Sequence, residues 1–244
     1  MYPSKGATSD ECGATLVKAP WRVPSSTDQP AEGEMDHATP SPAYNRFAGT
    51  CAVIAGVAGF AYAVAFIGLV LTGAAPELGV GIASALLLIG SLLTAAALSA
   101  LYPHLRAVDP GFALLALILG IGGSIGAAVH GGFDLANVLH APSPAGSDAL
   151  AGLPNYVDPR GLLTFGATGL GLIVASWLIL RGGAFPTRLG QLGYLAGALL
   201  LVIYLGRLII LTPTNPLVAV PAALSGFIVN PAWFIWLGLI LRKR

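Results

Sequence analysis

Apolar residues come in long, nearly unbroken runs along this chain, and polar residues gather in the gaps between them. Six runs stand out, at about 47–72, 79–102, 111–138, 161–181, 189–211 and 217–241. Each exceeds or matches the roughly 20 residues that a helix needs to cross the hydrocarbon core of a bilayer. The gaps read "GAAPE", "YPHLRAVDP", "APSPAGSDALAGLPNYVDPR", "RGGAFPTR" and "TPTNP", and Pro103, Pro110, Pro213 and Pro216 sit where helices should stop or start. Backbone groups in lipid must pair within their own segment, so the runs are helices. The alternating period of a membrane barrel is absent. The pattern therefore predicts an all-α, polytopic membrane bundle of six transmembrane helices over residues 45–244.

Residues 1–44 differ. They are rich in Pro, Ser, Thr, Asp and Glu without apolar periodicity, which predicts a disordered polar tail. Met1 and Met35 are the two methionines, and Met35 follows "AEGE", which can be encoded by a purine-rich stretch resembling a ribosome-binding site. That points to Met35 as a candidate true start of translation. The first apolar run begins too far in, and is too long, for the core of a secretory signal.

Composition sharpens the membrane reading. Hydrophobic residues make up 55% of the chain and charged residues 9%, against about 25% in a soluble domain. Charge placement gives an orientation. Arg46, Arg106, Arg181, Arg188, Arg242, Lys243 and Arg244 fall on one side of a six-helix path, while the other side's loops carry only Arg160 beside Glu77, Asp148 and Asp158. Basic residues are retained in the cytoplasm, so both termini are expected there. A net charge of +1 offers no field for nucleic acid. Cys12 and Cys51 form neither a disulfide framework nor a metal-ligand spacing.

Candidate chemistry concentrates in the stretch "HGGFDLANVLH", His130 to His140. Counting from Gly111, about 20 residues exhaust the hydrocarbon near position 131. His130 is then at the outer boundary, with Asp134 and Asn137 on the same helical stripe. Arg207 comes about 18 residues into the fifth run and reaches a similar depth, so an Asp134–Arg207 ion pair is expected, with Asp158 as another acid in reach. "VNPAW" puts Asn230 and Pro231 inside the last run, where the helix should kink or open. "GGSIG" (Gly122 to Gly126) and "GYLAG" (Gly193 to Gly197) would let helices approach closely. Tyr102, Tyr156, Trp177, Trp233 and Trp236 fit interfacial belts.

Other chemistry finds no support. No nucleophile elbow, zinc-protease motif or phosphate-binding loop occurs. Membrane serines such as Ser84, Ser91, Ser99, Ser124, Ser176 and Ser225 are expected to bond helix backbone. His37, His104, His130 and His140 offer no pair at one depth on facing helices, so no haem or other cofactor is expected. His130, Asp134 and His140 make an incomplete metal set.

The run "LYPHLRAVDPGFALLALILG" (Leu101 to Gly120), with the later spans and the basic C-terminus, resembles an uncharacterised family of bacterial six-helix integral membrane proteins over residues 45–244. The resemblance implies a bacterial inner-membrane setting and no activity. The favoured function is a non-enzymatic accessory, sensor or small-ligand/lipid-binding bundle. A small proton-coupled transporter using His130 and Asp134 is the alternative, and an intramembrane enzyme the third reading. The partners expected are the lipid bilayer and an unknown small ligand, with room for a homo-oligomer or a membrane-complex partner.

Overall fold

In a computed structural model the described residues are 40–140, 158–210 and 215–244. Six helices long and apolar enough to cross a membrane account for nearly all of them: α1 Pro42–Leu71, α2 Pro76–Arg106, α3 Pro110–Leu139, α4 Pro159–Gly182, α5 Thr187–Ile209 and α6 Pro216–Leu241. There is no strand among the described residues. Met35 and most of the expected tail, like the greater part of the 141–160 loop, lie outside them.

The ends of the helices follow from local chemistry. Five of the six open on proline, whose missing N–H is no loss in a first turn. Ser41 Oγ accepts the Tyr44 N–H, Asp109 Oδ1 accepts that of Phe112, and Asn215 Oδ1 that of Leu217. α4 stops at Gly183, whose φ of +66° is the left-handed cap that glycine adopts freely. Because Ser41 caps it, α1 starts at Pro42, inside the stretch expected to be tail. α2 continues past its expected end and carries Pro103 internally, running on to bury Leu105.

Each helix packs on its neighbour in sequence, and α1 also packs on α6, so the six close into a ring. Glycine lets the seams close. A Cβ on Gly49 of α1 would stand 2.7 Å from the Gly238 carbonyl oxygen of α6. One on Gly197 of α5 would stand 2.6 Å from the Gly169 carbonyl oxygen of α4. "GYLAG" therefore works as expected. In "GGSIG" the contact register is Gly123 and Gly126, against α4, while Gly122 has nothing within 4 Å of its Cβ position.

Packing differs sharply between the two halves of the ring. The largest fully buried side chains are Trp233, Leu101, Leu178, Ile179, Leu189, Leu237 and Leu241, together with Ser176. All belong to the half of the bundle that holds the start of α1 and the end of α6. Trp233 is thus a core residue, not an interfacial anchor: it is 0% exposed, seated edge-on against Phe234 at 4.9 Å and facing Ser176 and Gly193. Trp177 does lie where a belt residue should, between Phe112 and the Arg181 guanidinium, which is 4.2 Å from its ring.

Candidate functional site

The other half of the ring is hollow. A cavity of about 660 Å³ lies between all six helices, within the range of small-molecule sites. Its wall along α1 runs from Ala55 to Leu71, about 24 Å of helix axis. Small residues explain why it stays open: Ala55, Gly59, Ala63, Gly90, Ala127, Ala222 and Ala223 all line it. Gly59 has nothing within 4 Å of its Cβ position.

Three π-helical turns border this cavity: Phe66–Leu71 in α1, Leu162–Ala167 in α4 and Ser225–Val229 in α6. A π-turn inserts a residue, widens the helix and changes which face its side chains present. Here the turns bring Phe66, Thr164, Phe165 and Ser225 to the wall. The expected break at Asn230 and Pro231 resolves into the third of them. Val229 and Asn230 keep right-handed helical angles, so α6 is widened ahead of Pro231 and not opened. The π register suits a proline, because the backbone there already departs from the i→i−4 ladder.

Among the described residues, two arginines, Arg160 and Arg207, are the charged residues in the cavity wall, and no acid joins them. Arg207 stands with its guanidinium carbon 5.2 Å from the Phe165 ring centroid. No carboxylate lies within 4.0 Å of it among the described residues. Arg160 opens α4 in a left-handed conformation, at φ 56°. It is set there by Asp158, which is 2% exposed and accepts from the Leu163 N–H at 2.6 Å, the Thr164 N–H at 3.1 Å and the Thr164 hydroxyl at 2.6 Å. Asp158 is committed to that turn.

The expected Asp134–Arg207 pair is replaced by a local one. His130 Nε2 and Asp134 Oδ2 are 3.3 Å apart, one turn along α3, with side chains 28% and 34% exposed. These two and Asn137 stand outside the cavity wall, whereas Arg207, Asn230 and Pro231 are part of it. Tyr62 is also part of the wall. The helical stripe that joins His130 to Asp134 was legible from spacing. Arg207 was legible as a charge but not as part of a cavity.

The polar lining is mostly self-satisfied. Ser124 Oγ donates to the Gly120 carbonyl at 2.9 Å and Thr168 Oγ1 to that of Leu163 at 3.3 Å, as expected of membrane hydroxyls. Asn230 Nδ2 donates to Ser225 Oγ at 2.8 Å, while Asn230 Oδ1 is buried without a partner. Sequence reasoning missed Tyr62, Gly59 and the part that Arg160 plays. An Asp-Pro-Arg-Gly start to a helix is the one available signal, since Asp before Pro is a cap and the glycine admits a left-handed turn, here at φ 84°.

Residues 47–240 match the family model described as Domain of unknown function (DUF4386). The chain belongs to that family. It is therefore a multi-pass integral membrane protein of a family without an assigned role. No curated protein and no solved structure matches it.

Proposed function

We propose that the protein is a non-enzymatic binding bundle that takes a small apolar or amphipathic ligand from the bilayer into the cavity between its helices, in an accessory or sensory capacity. The observation that carries this reading is the contrast in packing. One half of the ring is filled by Trp, Leu and Ile, while the other is lined by glycine and alanine around about 660 Å³. Protein interiors are otherwise close-packed, and an unfilled void forfeits dispersion contacts along its whole lining. Larger residues at Gly59 or Ala63 would remove the void if packing were the only requirement. By the placement of basic residues we take both termini as cytoplasmic and the arginine end of the cavity as facing outward, in a bacterial inner membrane.

Gly59→Leu tests the reading, because the new side chain enters space that is open in the structure. Native mass spectrometry of protein purified in mild detergent should find bound amphiphile on the wild type. The Gly59→Leu protein should have lost it and melt at the same or a higher temperature. Equal retention by both proteins would remove the cavity from consideration.

A second reading rests on the 3.3 Å His130–Asp134 pair. A histidine beside a carboxylate is the equipment of a proton-coupled carrier. Its signature would be ligand-dependent proton uptake into proteoliposomes that disappears in His130→Ala.

A further inference from the structure

Resting on the cavity reading, we infer that the ligand is an anionic amphiphile: an acyl-type chain lying in the hollow half of the ring, with a carboxylate or phosphate headgroup held by Arg207 and Arg160. Charge is the first ground. Both arginines line the cavity, and no acid among the described residues lines it. Arg207 makes no hydrogen bond to another described residue, and its one close partner there is the Phe165 ring. A guanidinium in an apolar wall is stable only against a compensating charge or water. Among the described residues, the acids that could serve are otherwise engaged. Asp134 pairs with His130, Asp158 is bound by the Leu163 and Thr164 amides and the Thr164 hydroxyl, and Glu77 is exposed in the first turn of α2.

Shape is the second ground. Arg207 is two residues from the end of α5 and Arg160, an exposed residue, is the second of α4, so both stand at one end of the hollow half. From there the wall descends past Ile203 and Leu172 to Phe234, apolar throughout save for hydroxyls and Asn230. A site charged at one end and apolar over about 24 Å of α1 fits a head and a tail, not a compact polar solute. Guanidinium geometry favours a planar carboxylate or a phosphate, either of which accepts two parallel N–H bonds.

Three ligands with one C16 chain and different heads decide the matter: hexadecanoate, hexadecyl phosphate and hexadecanol. Their binding to the full chain in phosphatidylcholine nanodiscs can be counted by native mass spectrometry across a concentration series. Wild type should bind one or both anions at least about tenfold more tightly than the alcohol, the scale of a charge-assisted hydrogen bond. The stronger anion tells a fatty-acid type of head from a phospholipid type. Arg207→Gln should bring the anions to within about twofold of the alcohol, and the alcohol should bind both proteins alike. If Arg207→Gln does not fold, Arg160→Gln must still narrow the ratio and Arg207→Lys must largely keep it. An alcohol that binds wild type as well as the anions do, or a ratio untouched by both glutamines, overturns the charge assignment and leaves the cavity reading standing. Failure of all three ligands, with Gly59→Leu indistinguishable from wild type, overturns the cavity reading itself.

Discussion

Glycine does opposite work at neighbouring positions of this bundle. Gly197 is pressed against the Gly169 carbonyl oxygen, so Gly197→Ala forces the α4–α5 seam apart and should destabilise the protein by about 1–3 kcal/mol. Gly122 faces open space, so Gly122→Ala should be neutral or stabilise by up to about 1 kcal/mol through helix propensity. Melting temperatures in a single detergent would separate the two, and a large loss at Gly122 would mean the α3 register is wrong. A double-mutant cycle on His130→Ala and Asp134→Asn should give a coupling of only about 0.3–0.5 kcal/mol, because the pair is a partly exposed i,i+4 contact. The corresponding cycle on Asp134 and Arg207 should be additive. Coupling there larger than at His130 would contradict the placement of Arg207 over Phe165. These residues also mark the limit of sequence reading. Spacing alone put His130 and Asp134 one turn apart, but nothing local could tell that Arg207 turns to an aromatic ring and away from the acid at its depth.

The helices were legible because their cause is local. A run that must satisfy its own backbone in lipid can be read from composition, and α3, expected at 111–138, forms over Pro110–Leu139. Their irregularities were not legible, since Phe66–Leu71 and Leu162–Ala167 carry no sequence mark that separates a π-turn from an ordinary one. Only Ser225–Val229 had a herald, Pro231. Removing one residue from that turn tests its role. Deleting Gly226 removes the surplus residue and returns the turn to α-helical register with its flanks still in phase. In a background where Trp233 is the sole tryptophan, its fluorescence should stay shielded from brominated lipid both in the parent, where it is 0% exposed, and after the deletion. Exposure after the deletion would show that the surplus residue sets how α6 faces the ring.

At the scale of the whole molecule, the closing of α6 onto α1 and the division into a solid and a hollow half emerge only in three dimensions. Hydropathy counts Ala55, Gly59 and Ala63 as apolar, whether they press against a neighbour or face a void, so the cavity had no counterpart in the pattern. What the pattern offers at this scale is orientation. Green fluorescent protein fused after Arg244 should fluoresce and alkaline phosphatase at the same place should be inactive if the basic side is cytoplasmic. The reverse result would turn the arginine end of the cavity inward.

The hollow half also makes volume a variable of state. Hydrostatic pressure favours whichever arrangement encloses less empty space. The unliganded ring should therefore be compressible, collapsing or admitting solvent under load, while an occupied ring resists. A membrane protein built this way would respond to the lateral and hydrostatic stresses of its bilayer in proportion to how empty it is.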